Sequence, residues 1–154
     1  MELPEIELRP WADEDEAAYE AIVCDPAVVE FLGEPDSDPV PQGPLLDVIG
    51  DIVCVRAAVW HEGELVGAIW VSGCGDGPAD VTVGIRPDRH GAGLGRAAVT
   101  AAARLVHDRY PAVSIGGRIR RGNAASLSMA RALGVSFVDD EDPDYLLAVP
   151  KAAA

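Results

Sequence analysis

The chain has 154 residues, 49% of them hydrophobic, and a formal net charge of −14. That length suits one domain, residues 1–154, with a real core. No run approaches membrane-span length, and no basic stripe with interleaved aromatics speaks for nucleic acid. The charge is unevenly spread: residues 1–80 hold 19 acids and 2 Lys/Arg, and residues 81–154 hold 7 and 10. The first half therefore suits a cationic partner and the second an anionic one, unless the acids serve solubility alone.

Acids rather than a basic start precede the first apolar residues, so no signal peptide is expected. Cys24, Cys54 and Cys74 are odd in number and lack metal spacing. They read as free thiols in a reducing cytoplasm, or as small buried hydrophobes, and no metal site is expected. Glu5 to Trp11 alternates weakly and predicts a first strand. Asp13 with Glu16 resembles a capping box, so Glu14 to Val23 reads as a helix. Asp25-Pro26 opens a shorter helix ending at Gly33. Glu34 to Pro44 is a proline-rich acidic loop, and Leu45 to Ile49 reads as a helical turn.

Ile52 to Trp60, a turn at Glu62-Gly63 and Leu65 to Val71 predict a hairpin. Ser72 to Ala79 is a glycine-rich turn. Val81 to Ile85 is a β-branched run closed by Arg86-Pro87, and reads as a buried strand. Gly91, Gly93 and Gly95 then punctuate a tight loop before a long helix from Leu94. In that helix Leu94, Ala98, Ala101 and Leu105 mark the packed face. Tyr110-Pro111 ends the helix, and Ala112 to Ile119 is the next strand. Asn123 opens a helix that Gly134 stops. Val135 to Val138 and Tyr145 to Val149 are strands around an acidic turn, Asp139 to Asp144. The order β-α-α-β-β-β-α-β-α-β-β predicts an α/β fold on a mixed sheet.

A glycine-rich loop between a strand and a helix start brings backbone N–H groups close to a ligand, and the helix dipole adds positive potential. Arg86, Arg89, His90 and Arg96 lie near it in sequence and reinforce that sign, so the loop suits a phosphate. A Walker loop needs Lys and Ser/Thr after the last glycine, whereas Arg96-Ala97 follow here. A dinucleotide loop could be laid on Gly93-Leu94-Gly95-Arg96-Ala97-Ala98, but needs an acid at the end of the next strand. That strand ends among Arg118, Arg120 and Arg121, so the fit is weak.

The stretch Ile85-Arg86-Pro87-Asp88-Arg89-His90-Gly91-Ala92-Gly93-Leu94-Gly95 resembles the acetyl-CoA loop of the GNAT superfamily of N-acetyltransferases, with His90 at a position usually Gln or Arg. Asn123 to Ser126, continuing to Leu133-Gly134-Val135, resembles a second block of that family, with Val135 in place of Phe. Leu8-Arg9-Pro10-Trp11 through Asp25-Pro26 to Phe31-Leu32-Gly33 is similar to the opening of the ribosomal-protein N-terminal (alanine) acetyltransferase branch. These blocks fall in family order from Leu8 to Val135.

The resemblance implies a GNAT-like, mostly antiparallel central sheet and acetyl transfer to a primary amine, a protein N-terminus or a small amine. It implies acetyl-CoA held by the backbone of His90, Gly91, Ala92, Gly93, Leu94 and Gly95 with Arg96 beside it. Val83, Gly84 and Ile85 would line the pantetheine and acetyl, and Gly84 has a simple bulge as its other reading. Asn123 would contact the cofactor arm, cap its helix, or do both. The family's usual thiolate acid, a Tyr seven residues past that Asn, is Ala130 here. Ser126 matches a branch serine able to hydrogen-bond the leaving sulfur, and otherwise sits on a helix surface or cap. Asp80 matches an acidic branch position and would take the amine proton through a water, or is a solvated strand-end acid. A cationic acceptor and a homodimer through the apolar parts of 135–149 are further expectations. The rival reading is a non-catalytic acyl-CoA-binding or regulatory domain that keeps the loop and lacks acid and base.

Overall fold

The computed structural model describes residues 3–26, 44–49, 52–74, 79–110, 115–132 and 135–149. In chain order these are β1 (Glu7–Arg9), a 3-10 turn (Asp13–Asp15), α1 (Glu16–Val23), β2 (Leu46–Ile49), β3 (Ile52–His61), β4 (Glu64–Cys74) and β5 (Ala79–Ile85). A 3-10 turn (Pro87–Arg89), α2 (Leu94–Arg109), β6 (Ile115–Arg120), α3 (Ala124–Ala132), β7 (Ser136–Asp139) and β8 (Tyr145–Val149) complete it. The helix expected from Pro26 to Gly33 and the loop after it fall largely or wholly outside the described residues. The turn expected from Ser72 to Ala79 is shorter than that, since Ser72 to Cys74 continue β4 and Ala79 opens β5, with 75–78 outside the described residues.

The strands form an eight-stranded sheet in the order β1-β3-β4-β5-β6-β8-β7, with β2 also on the edge of β3. Among the described residues every pairing is antiparallel except β5 with β6. The mixed, mostly antiparallel sheet matches the expectation.

Leu45 to Ile49 is a correction: residues 46–49 are not a helical turn but strand β2, in register with β3 from Leu46↔Val55 to Ile49↔Ile52. The segment is too short for local propensity to decide. The unpaired edge of β3 beyond β1 supplies backbone partners instead. The first helix start is also shifted. Asp15, not Glu16, accepts the Ala12 N–H through its carboxylate at 3.0 Å.

The two sheet faces are built differently. On one, Val53, Val55, Ala57 and Val59 of β3 join Val66, Ile69 and Val71 of β4 and Ile85 of β5 against Leu94, Ala98, Ala102 and Val106 of α2. The packed stripe of α2 runs at i, i+4, i+8 and i+12. Ala101, expected inside, is only half-buried, and Leu105 packs at the margin of the core. Small alanines let the helix lie close to the sheet. On the other face Trp11 and Ile22 cover Ala58, Leu65 and Ala68, with Tyr19 and Trp70 alongside.

Gly67 fixes how closely β4 and β5 approach. A Cβ there would stand 2.6 Å from the Gly84 carbonyl oxygen and 2.6 Å from Ile85 Cδ1. The side-chain end can yield, but the backbone oxygen cannot without moving β5. Gly67→Ala is therefore expected to destabilise the protein by about 1–3 kcal/mol in urea unfolding. A change below about 0.5 kcal/mol would show that β5 is free to shift.

Candidate active site

The site is built where β5 leaves its parallel neighbour. β5 pairs with β6 only at Ala79↔Ile115 and Asp80↔Gly116. From there β5 stays with β4, as far as Ile85↔Gly67, and β6 stays with β8, from Gly117↔Ala148 to Arg120↔Tyr145. The parting is gradual, since a Cβ on Gly117 would still meet the Val81 carbonyl oxygen at 3.3 Å. Past that point the facing edges of β5 and β6 have no ladder between them. Alternate residues of Val81 to Ile85 thus aim N–H and C=O groups into a wedge.

The loop after β5 closes the wide end of this wedge. Gly91 and Gly93 sit at φ +84° and +80°, a left-handed backbone that side chains resist. Gly93 is the N-cap of α2, its carbonyl accepting the Ala97 N–H at 3.0 Å. The N–H groups of Leu94, Gly95 and Arg96 in that first turn lack intrahelical partners. Gly91, Ala92 and Gly93 are exposed, while the Leu94 side chain is 2% exposed and anchors the turn. Backbone donors, not side chains, thus face outward from Gly91 to Gly95.

Most of the loop's cations are engaged in holding the loop. Arg86 makes a two-pronged pair with Asp88, at 3.1 and 2.8 Å, and donates to the Leu65 carbonyl at 3.3 Å. Its N–H bonds the Val66 carbonyl at 2.8 Å. Arg89 pairs with Glu64, and His90 Nε2 lies 2.7 Å from the Ile85 carbonyl oxygen. Arg86, Arg89 and His90 therefore tie the loop to the β3–β4 hairpin and to the end of β5. Of the four residues expected to reinforce the loop's positive sign, Arg86 and Arg89 are thus paired with acids and His90 sits on a backbone carbonyl. Arg96 differs: its Nε is buried with no hydrogen-bond partner among the described residues. An orphaned guanidinium nitrogen beside open helix-start N–H groups fits a phosphate-bearing ligand.

The other expected residues lie along the wedge. Val83 is half-buried, Gly84 buried, and Ile85 9% exposed, all on β5. Asp80 is exposed at the narrow end, in register with Ser72 on one side and Gly116 on the other. Asn123 follows β6 after the turn residues Arg121 and Gly122, its N–H on the Arg120 carbonyl at 2.9 Å. Its Oδ1 accepts the Ser126 N–H at 3.1 Å, so it caps α3. Ala130 is 6% exposed and packed away. The loop and the outer half of β5 are contiguous; Asn123 and Ser126 stand at the end of the opposite limb, and Asp80 sits apart at the apex. Among the described residues no group of His, Cys, Asp or Glu is arranged to hold a metal.

Residues 5–136 match the family model described as an acetyltransferase (GNAT) domain. The chain belongs to the GNAT family of acetyltransferases. Among curated proteins no sequence relative matches. Solved structures share the fold at low identity. A GNAT-family acetyltransferase from Bacillus anthracis has a TM-score of 0.72 at 14% identity, covering 97% of this chain and 96% of that one. The PaiA N-acetyltransferase of Thermoplasma acidophilum, solved with coenzyme A, has 0.69 at 11%, covering 95% and 99%. The aminoglycoside acetyltransferase AAC(6')-Ib, solved with coenzyme A and kanamycin, has 0.65 at 16%, covering 93% and 94%. As a GNAT acetyltransferase the chain is an acyltransferase. No helix among its described residues is long and apolar enough to cross a membrane.

Sequence reasoning missed Glu64, Leu65 and Pro4. Glu64 and Leu65 clamp the loop from 25 and 21 residues away, and a Cβ on Gly93 would meet Pro4 Cδ at 3.4 Å. No local signal marks any of them. The acidic turn after β7 is likewise tied to β6. Arg118 pairs with Asp140 at 3.0 Å and Arg121 with Asp139 at 2.9 Å.

The Asp142 N–H, then Arg118, hold the Asp140 carboxyl below the usual carboxylate range, and Arg118 is raised in turn, chiefly by its bond to Asp140. A carboxylate whose folded pKa is depressed stabilises fully above its unfolded value, about 3.9. That contribution is lost as pH falls through the lower folded value. Urea midpoints measured from neutral pH into acid should fall less steeply below about pH 4 in Asp140→Asn than in wild type. Parallel curves would exclude this pair from the acid response.

Proposed function

We propose that the chain is an acetyl-CoA-dependent N-acetyltransferase acting on a primary amine, a small molecule or a protein N-terminus. The observation that carries it is the left-handed Gly91–Gly93 loop opening α2 beside the orphaned Nε of Arg96, at the mouth of the β5–β6 wedge. The complexes with coenzyme A of the Thermoplasma and aminoglycoside enzymes, which share the fold, support the choice of ligand. The opening blocks at Leu8 to Gly33 support the ribosomal-protein branch, and kanamycin in a neighbour supports a small amine.

When bound, acetyl-CoA supplies an acetyl group activated as a thioester. The chain's part is to hold, orient and exchange protons. N–H groups from Gly91 to Arg96, with the Arg96 guanidinium, would hold the pyrophosphate. The vacated edge at Val83, Gly84 and Ile85 would line the arm, and a main-chain N–H there would polarise the carbonyl, worth about 3 kcal/mol per donor. Asn123 can serve twice, because capping uses its Oδ1 and leaves its amide NH₂ to face the arm. Attack by a neutral acceptor nitrogen on the thioester would exchange the C–S bond for a C–N bond; Asp80 would then receive the nitrogen's proton through water, and the Ser126 hydroxyl would donate a hydrogen bond to the leaving sulfur as it takes up a proton. The acidic first half supports an acceptor that arrives cationic. Val138, 45% exposed on the edge strand β7, supports a homodimer, and Cys24 and Cys54 as free thiols support a reducing cytoplasm.

Release of free CoA thiol, followed over a panel of small amines and peptides, tests the proposal. Acetyl-CoA-dependent release with the amine acetylated is expected. Binding without transfer to any amine would return the non-catalytic reading. Ser126→Ala leaves the cap intact, since the cap uses the Ser126 backbone N–H. It should lower kcat about five- to ten-fold, the value of one hydrogen bond. An unchanged kcat would remove Ser126 from the mechanism.

A further inference from the structure

An imidazole stands at the wide end of the wedge. The Arg86 N–H bonds the Val66 carbonyl at 2.8 Å, so those two residues are a hydrogen-bonded pair continuing the β4–β5 ladder. Such pairs alternate along an antiparallel ladder, so Ile85, opposite Gly67, turns its N–H and C=O away from β4. The other end of β5 points the same way. A Cβ on Gly117 of β6 would meet the Val81 carbonyl oxygen at 3.3 Å and the Val81 nitrogen at 3.6 Å. The main chain of Val81, Val83 and Ile85 therefore faces the gap. His90 Nε2 lies 2.7 Å from the Ile85 carbonyl oxygen. That contact seats an exposed ring at the mouth of the gap, beside the Gly91–Gly95 donors.

The same contact fixes where the ring's hydrogen sits. A carbonyl oxygen only accepts, so Nε2 carries the hydrogen, and Nδ1 of the neutral ring is bare. Among the described residues Nδ1 has no hydrogen-bond partner. A proton gained at Nδ1 leaves the Ile85 bond in place and adds a full positive charge. The neighbouring charges do not change with it. Arg86 is paired with Asp88, Arg89 with Glu64, and Arg96 opens α2. Across the gap Arg118 pairs with Asp140 and Arg121 with Asp139, with Arg120 between them, and Asp80 stands at the apex. His61 is held on the Glu5 carbonyl, and His107 lies in the last turn of α2. Guanidinium and carboxylate groups keep their charge from about pH 5.5 to 8, whereas an imidazole ordinarily gains its proton near pH 6.5.

We infer that His90 couples acetyl-CoA binding to proton uptake, the loop holding the pyrophosphate more tightly when the ring is charged. The inference rests on the acetyltransferase reading above and adds a titrating group to its cradle. The pyrophosphate keeps its two negative charges throughout this range. A unit charge about 7 Å from such a group changes Kd several-fold even in a water-like medium. The neutral lone pair sets no opposing preference, because a neighbouring water or hydroxyl can turn its hydrogen either way. Gln at position 90 would give a donor that never charges, and Arg one that never discharges.

Calorimetric titration with 3'-dephospho acetyl-CoA tests this. That ligand keeps the pyrophosphate and lacks the phosphate monoester, which itself titrates near about pH 6. Wild-type Kd should fall about five-fold from about pH 8 to about pH 5.5. Near the midpoint, binding heats in two buffers of different ionisation enthalpy should report proton uptake. His90→Gln should show one Kd across the range and no uptake, and His90→Arg should bind throughout as wild type does in acid. Near-ultraviolet circular dichroism reports whether each variant is folded, and the wild-type curve tests the inference without any variant. A wild-type Kd that does not fall toward acid overturns the coupling and leaves acetyl-CoA binding standing. So does a fall that persists undiminished in folded His90→Gln, or binding of acetyl-CoA with none of the dephospho form. Failure of wild type to bind either ligand overturns the reading beneath it.

Discussion

Two registers of parallel pairing, Ala79↔Ile115 and Asp80↔Gly116, set the rest of this molecule. With a longer ladder β5 would be an interior strand with every backbone group satisfied, and the sheet would offer no edge to a ligand. With none, the C-terminal strands would not be fixed to the core. Pairing that stops after two residues leaves a rigid opening whose walls belong to two well-made half-sheets. The backbone groups it exposes cost free energy unless water or a ligand meets them. That cost makes the opening a place to bind something.

The loop beyond β5 depends on the same arrangement. Its two left-handed glycines turn the chain so that α2 starts at the wedge mouth and then runs back over the core. Arg86, Arg89 and His90 hold that turn to the β3–β4 hairpin and to the last residue of β5. Exposed ion pairs contribute little one at a time, but here they constrain a loop already limited by proline and by the buried Leu94. The outcome is a row of backbone donors with one orphaned guanidinium nitrogen among them. On the proposed reading an anion would be recognised mainly by main chain, which would let His90 stand at a position where the motif it resembles has Gln or Arg.

The sequence made strongly patterned elements legible. The β-branched run at Val81 to Ile85, the Glu62-Gly63 turn and the glycine loop are local signals, and all three stand where expected, although the strand is less buried than its composition suggests, with Thr82 exposed and Val81 and Val83 half-buried. β2 was not legible, because the partner that makes residues 46–49 a strand is the free edge of β3 and not their own propensity. The packed stripe of α2 was misjudged at Ala101 because alanine is small enough to fit either face. The glycine loop could be read from its glycines, whereas the clamp from Glu64 and Leu65 depends on a hairpin register and leaves no mark near the loop. The roles of Ser126 and Asp80 follow from the family resemblance, and the fold adds their positions.

The central claim is that the Gly91–Gly95 backbone and Arg96 bind the pyrophosphate of acetyl-CoA. Calorimetric titration with acetyl-CoA and, separately, NAD, on wild type and Gly93→Glu, tests it most directly. A carboxylate at position 93 adds negative charge to the cradle and a side chain to a left-handed residue packed near Pro4. The account predicts micromolar acetyl-CoA binding by wild type (about −8 kcal/mol), its loss in a folded Gly93→Glu, and no NAD binding. Wild type that binds NAD and not acetyl-CoA, or a folded Gly93→Glu that binds acetyl-CoA as tightly as wild type, would contradict it.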